Sequence, residues 1–174
     1  MTSIKSIARR PQMSITGEKG KADVQTLKTN EKKWTKAVMA AGWNVIPNII
    51  IEKQEALGLD AIDMNIVVHL SHYWWHPENL PHPSVATIAK AIGVKSRTVQ
   101  KHIKRLEDAG LVKRKERRHT KTGSATNLYD LSGLIKAAKP FAEEKVKEIE
   151  DAKAAKEARL ARKRPRLVVH NEEK

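Results

Sequence analysis

From Asp60 onward the apolar residues recur at three- and four-residue intervals and then give way to a short alternation, and these periods predict the elements. Ile62, Ile66, Val67, Leu70 and Trp74 share one side of a helix that Asp60 caps and that runs to about Trp75. The next stretch, 76–83, contains Pro77, Pro81 and Pro83. Proline lacks an N–H and fixes φ, so this stretch is a loop. Ser84 then caps a short helix whose Val85, Ile88, Ala89 and Ile92 form one apolar stripe, closed by Gly93 in a left-handed conformation. Three residues later Ser96 caps a second helix, which runs to about Ala109 and is closed by Gly110.

Two short capped helices separated by a glycine turn have the spacing of a helix-turn-helix. Leu111 to Arg118 and Ala125 to Leu131 are strand-like, and the polar run His119 to Ser124 joins them as a hairpin. Upstream, Trp43 to Ile46 is a short strand-like run stopped by Pro47. Asn48 caps a short helix through Leu57, ended by Gly58. Residues 1–35 are polar and Lys-rich, with Gly17 and Gly20 and no apolar period, which predicts a disordered basic arm ending near Trp34. After the hairpin Ser132 caps a further helix, Pro140 suits a first helical turn after a break, and a highly charged helical stretch continues to Lys163 before Pro165 stops it. The predicted class is mainly α with a small β-hairpin. It divides into the arm at 1–35, one domain at 43–131 and a charged helical tail at 132–174.

Composition narrows the chemistry. The absence of cysteine removes disulfides, thiol nucleophiles and cysteine-ligated zinc. No apolar run reaches the length of a membrane span, and the N-terminus lacks the apolar core of a signal peptide, so a cytoplasmic protein with no membrane partner is expected. The net charge of +14 is unevenly placed: residues 95–121 hold eleven Lys/Arg against Glu107, Asp108 and Glu116, a net of +8 in 27 residues. By contrast, 37–94 hold only Lys53 and Lys90 against five acids. Charge meant only for solubility would be spread out, so this concentration favours a face that binds a polyanion.

On the helix from Ser96, Val99, Ile103 and Leu106 gather on one side, with Arg97, Gln100, Lys101 and Lys104 nearly opposite. One side packs while the other offers cations and an amide. Arg and Lys can neutralise phosphates or reach guanine O6/N7, and Gln100 can bridge adenine N6/N7. Ser96 and Thr98, at the first turn, suit a phosphate oxygen. A solvated basic helix over an ordinary core is the plain alternative, and the neighbouring hairpin weakens it. Lys113, Arg114, Lys115, Arg117, Arg118 and Lys121 crowd that hairpin, and because strands alternate faces, only the end from Arg117 to Thr122 is expected to reach DNA. Edge protection by charge accounts for two or three lysines there, not for the whole set.

The run from Pro83 to Val112, with its Ser96 helix start and Leu106-Glu107-Asp108-Ala109-Gly110-Leu111, is followed by a basic strand and by Thr126-Asn127-Leu128-Tyr129-Asp130-Leu131. It resembles the winged helix-turn-helix DNA-binding family of bacterial, phage and plasmid regulators and replication initiators. There a serine-capped recognition helix precedes Leu-Glu-x-x-Gly-Leu, and the wing returns with Ser-Asn-x-Tyr-x-Leu; Thr126 here stands for the serine. The resemblance covers about 43–131. It implies groove-facing roles for Arg97, Gln100, Lys101 and Lys104, and a wing role for His119 and its basic neighbours. The candidate DNA-contacting set is Ser84, Lys95, Ser96, Arg97, Thr98, Gln100, Lys101, Lys104, Arg117, Arg118, His119, Lys121 and Thr122.

The expected function is sequence-selective binding of double-stranded DNA to regulate transcription. Replication initiation is the first alternative, and a protein-interaction adaptor the second. The concentrated charge argues against the adaptor. His69, His72 and His76, at i, i+3 and i+7 with His82 nearby, could in principle hold zinc. The aromatic residues Tyr73, Trp74 and Trp75 around them, and the lack of a carboxylate at matching spacing inside that helix, favour no metal. Asp60 and Asp63 are read as first-turn acids favoured by the helix dipole. No phosphate loop or nucleophile-base pair is legible, so neither an enzyme nor a cofactor is expected. Ile135, Ala138, Ala142 and Ile149 fit a heptad seam that Lys145 and Lys156 interrupt, which leaves a homodimer open through another surface.

Overall fold

Asp60 starts the helix on which the domain is built. In the computed structural model, which describes residues 18–119 and 123–162, its carboxylate accepts from the Ile62 and Asp63 N–H groups at 2.9 Å each. The Asp63 carboxylate accepts from the Asp60 N–H at 3.2 Å, completing a reciprocal capping box. Helix α4 (Ala61–His72) follows, and Ile66, Val67 and Leu70 are buried along it. It ends short of the predicted Trp75. The Tyr73 and Trp74 N–H groups bond back to Leu70 and Ser71, tightening the last turn, and the proline loop lies directly ahead.

The chain divides into two units, Met1–Asn44 and Val45–Lys174. In the first, α1 (Glu18–Trp34) and α2 (Lys36–Ala41) are separated by Thr35 at φ 69°. Residues 18–34 are thus helical where the polar composition predicts a disordered arm. Their Glu, Lys, Ala, Gln and Leu are good helix formers even without an apolar stripe, and Lys32 and Lys33 in the last turn complement the dipole. The expectation for 1–17 lies outside the described residues.

The expected strand at 43–46, which the division between the units crosses, does not form. The Val45 carbonyl accepts from the Ser71 hydroxyl at 3.3 Å instead of from a ladder partner. Helix α3 (Asn48–Glu52) is only five residues long, and Pro47, not Asn48, is its cap. Helices α5 (Val85–Ile92) and α6 (Ser96–Asp108) match the predicted pair. Ser84 Oγ accepts from the Thr87 N–H at 3.0 Å, and Gly93 takes the left-handed conformation that lets the Val94 N–H reach the Ala89 carbonyl at 3.0 Å. The two helices pack on each other, and Ile88, Val99, Ile103 and Leu106 join Ile66 and Leu70 in one core.

The hairpin comes in two pieces. Strands β1 (Lys113–Lys115) and β4 (Leu128–Asp130) pair antiparallel with Arg114 opposite Tyr129. Farther out, β2 (Arg118–His119) pairs with β3 (Gly123–Ser124). Two residues, 116–117, lie between the pieces on the outgoing side and three, 125–127, on the return side, so the predicted continuous strands are interrupted. Buried Tyr129 anchors the inner piece, and its N–H donates to the Pro81 carbonyl at 2.9 Å, tying the proline loop to β4.

Helix α7 (Ser132–Arg162) runs through Pro140 without the predicted break. Side chains on both sides of the proline are held: Leu134 and Ala138 lie in the core, Phe141 packs against it under Lys53, and Lys145 pairs with Glu52. Docking thus carries the helix past its missing hydrogen bond. The apolar core therefore takes in Leu134 and Ala138 beyond Leu131, and Ala138, buried, is not available to an exposed heptad seam. No helix among the described residues is long and apolar enough to cross a membrane.

The start of α7 crosses the end of α6 closely. A Cβ on Gly133 would stand 1.9 Å from the Gly110 carbonyl oxygen. Gly133→Ala should therefore destabilise the protein by about 1–3 kcal/mol through overpacking. The helix-propensity gain of about 1 kcal/mol offsets this only in part. Urea unfolding of the two proteins measures the difference, and an unchanged or higher midpoint would contradict the close crossing.

Candidate nucleic-acid interface

Lys95, in extended conformation, is the N-cap of α6, and its carbonyl accepts from the Thr98 and Val99 N–H groups at 2.9 and 3.3 Å. Ser96 is the first helical residue and not the predicted cap. No side chain caps this terminus, which leaves the Ser96 and Arg97 N–H groups directed outward along the helix axis. Val99, Ile103 and Leu106 are buried, while Arg97, Gln100, Lys101 and Lys104 are exposed. The predicted division of the helix into two sides holds.

The cations of the basic window fall into two groups. Among the described residues Arg97, Gln100 and Lys101 make no side-chain hydrogen bond or ion pair. Lys104 bonds Asp108 at 2.5 Å, an i,i+4 pair that holds the lysine above its usual range. Arg114 lies 3.4 Å from Glu107, which also accepts from the Arg114 backbone N–H. Lys115 reaches Asp130 at 3.2 Å; the Ser132 N–H and hydroxyl, and then Lys115, hold that carboxyl below the ordinary range. Arg117 donates to the Thr126 carbonyl at 2.8 Å and its hydroxyl at 3.0 Å, bridging the interruption in the hairpin. This side chain, expected at the DNA, is engaged in holding the wing together.

Thr98 is half-buried and Lys95 and Ser96 are exposed at the head of α6. Ser84 sits at the head of α5, with its hydroxyl in contact with Thr87 Oγ1 at 2.8 Å. Arg118 and His119 form β2, but their side chains are not described, and Lys121 and Thr122 lie outside the described residues.

Four residues were not in the predicted set, and they form the densest polar cluster beside α6. Asp63 is fully buried, and its Oδ1 lies 2.8 Å from His102 Nδ1. Asp63 Oδ2 lies 3.2 Å from the Arg105 guanidinium, which also donates to Asp60 at 2.5 Å and to the Gly58 carbonyl at 2.7 Å. The ligand atoms of Asp60, Asp63 and His102 stand within 4.8 Å of one another, a spacing a metal could use. Arg105 already brings the positive charge there, and an ion would have to displace it. Nothing in the local sequence signals this cluster, because its two halves, Asp60 with Asp63 and His102 with Arg105, are 39 and more residues apart.

The helix-turn-helix domain family matches residues 57–112, from the turn before α4 to the residue before β1. That segment, about a third of the chain, is similar to this family, and with the hairpin that follows it has the architecture of a winged helix-turn-helix. Among solved structures, the chain is similar to the N-terminal domain of DnaD protein from Geobacillus kaustophilus, at 14% identity over 78% of this chain and 99% of that one, with TM-score 0.45. It is similar also to S. aureus MepR, solved in complex with DNA, at 18% identity over 82% and 99%, with TM-score 0.39. For YusO protein from Bacillus subtilis the values are 18%, 86% and 99%, and 0.35. Likenesses this distant do not bear on what this chain does. A search of curated proteins found no match.

The polar cluster predicts an acid limit. Desolvation raises the Asp60 carboxyl, but the bonds from the Asp63 N–H, Arg105 and the Ile62 N–H and the nearby His102 together hold it below its ordinary 3.8. A group depressed in the folded state contributes stability above its unfolded pKa and loses it as pH falls through the folded one. Melting temperature should thus decline below about pH 4. Asp60→Asn, which keeps a capping side chain but not the charge, should show a shallower decline; an identical acid slope would contradict the assignment.

Proposed function

We propose that the second unit binds double-stranded DNA with the Arg97, Gln100 and Lys101 side of α6 in the major groove and the hairpin beside it, and that the chain regulates transcription. The observation that carries this reading is the exposed set Arg97, Gln100 and Lys101, without internal partners, opposite the buried Val99, Ile103 and Leu106. Arg97 is suited to guanine O6/N7 and Gln100 to adenine N6/N7. The outward N–H groups of Ser96 and Arg97, with Lys95 and Lys101, suit phosphate oxygens and would set the register. Occupying a site is enough to block or recruit other proteins there, so a binding domain by itself supports regulation.

Cations paired internally contribute less to the phosphate count than composition suggests. About four to six phosphate contacts should remain, giving a log–log slope of affinity against salt of roughly −3.6 to −5.4. A slope near zero would remove the interface. Selection of duplexes from a random library by the full chain should enrich one sequence class, and a palindromic class would mean that two copies bind together. Arg97→Ala and Gln100→Ala should each reduce preference for the selected duplex over a scrambled one by about 1–3 kcal/mol. Unchanged preference in both would place another side of the domain on the DNA.

A further inference from the structure

Helix α6 is held by two kinds of contact, and they differ in what they can fix. The stripe of Val99, Ile103 and Leu106 fastens it to the core, but apolar burial is non-directional and tolerates rotation of a helix about its own axis. The polar contacts are directional, and they lie on the two flanks between the buried and exposed sides. On one flank, one turn apart, His102 and Arg105 meet Asp63 and Asp60; on the other, Glu107 meets Arg114 of β1. A rotation of about 20° would carry a side-chain tip on α6 by about 2 Å, given a radius of about 5–6 Å. That displacement exceeds what a bidentate base contact tolerates, while a phosphate contact from a flexible lysine survives it.

We propose that Asp63, acting through Arg105 and His102, is a positioning residue that sets the rotation of α6 and with it the base selectivity of Arg97 and Gln100. The proposal rests on the DNA-binding reading above. Asp63 touches no exposed surface, so it would not act by contacting DNA, and the Arg105 guanidinium is engaged by the Gly58 carbonyl and the two carboxylates. A buried carboxylate with charged partners is seldom more stabilising than an apolar side chain of similar volume, and in some folds its contribution is to orientation instead. Arg105 is half exposed at 49% and His102 lies at 15%, so both can be changed at less risk to folding than Asp63.

The test measures affinity of the full chain for the library-selected duplex and for its scrambled counterpart, at a temperature where circular dichroism shows each variant folded. Asp63→Asn, Arg105→Met and His102→Asn should lower the selected-to-scrambled ratio, the first two by about tenfold or more, as expected for a lost bidentate contact. Affinity for the scrambled duplex should stay close to that of the parent. Arg105→Lys, which restores the charge but not the fork, should recover part of the ratio. Partial unfolding would instead lower both affinities together. If the folded variants keep the parent ratio while melting earlier, the cluster only stabilises and the proposal is overturned; should Asp63→Asn not fold, Arg105→Met and His102→Asn decide the question. A parent protein that prefers no duplex overturns the DNA-binding reading itself, and this proposal with it.

Discussion

Burying the Asp63 carboxylate is the constraint from which much of the domain follows. An unpaired charge there would destabilise the fold by several kcal/mol, so the residue needs partners that its own helix cannot supply in full. The capping box provides one N–H, and the rest come from His102 and Arg105 of α6. The N-terminus of α4 must therefore meet the middle of α6, and the apolar faces of the two helices close against each other beside that point. Leu106 and the turn after it then fix where the chain leaves α6, through the Gly110 N–H to Glu107 and the Leu111 N–H to Leu106, each at 2.9 Å. From there the hairpin begins, and the Leu134 N–H binds the Leu111 carbonyl at 2.8 Å, bringing α7 over the same turn.

The same economy governs the basic window. A cation that closes an internal gap is not equally available to a polyanion, and the two uses separate cleanly here. Arg105 clamps α6, Arg114 joins β1 to α6, Lys115 crosses to β4 and Arg117 bridges the interrupted hairpin. Arg97 and Lys101 have no such task among the described residues. Net charge alone would weight all of these equally, whereas the fold leaves Arg97 and Lys101 on the outer side of α6, and Lys113 on β1, without such a task, and Gln100 beside the first two can both donate to and accept from a base edge.

The helical pair was legible because each of its signals is local. Ser84, Gly93 and Gly110 act on backbone groups a few residues away, and the apolar stripe of α6 follows from the helical period alone. Reading Ser96 as the cap missed by one residue, since Lys95 already has the extended backbone that a cap requires. Residues 18–34 lack an apolar stripe and are nonetheless helical, since helix propensity needs no stripe. Pro140 suggested a break because its local penalty is plain, while the contacts of Ala138, Phe141 and Lys145 that oppose it belong to other parts of the chain.

By itself the sequence determined the order of the elements from α4 to the hairpin, the two-sided character of α6 and the basic character of that hairpin, because periodicity, caps and turn residues act over a few positions. Tertiary structure alone decided that α7 completes the core, that Arg117 staples the wing, and that Asp60, Asp63, His102 and Arg105 form one cluster. Those outcomes depend on which distant residues meet. A buried acid such as Asp63 is indistinguishable in sequence from a solvated first-turn aspartate until the helix that covers it is in place.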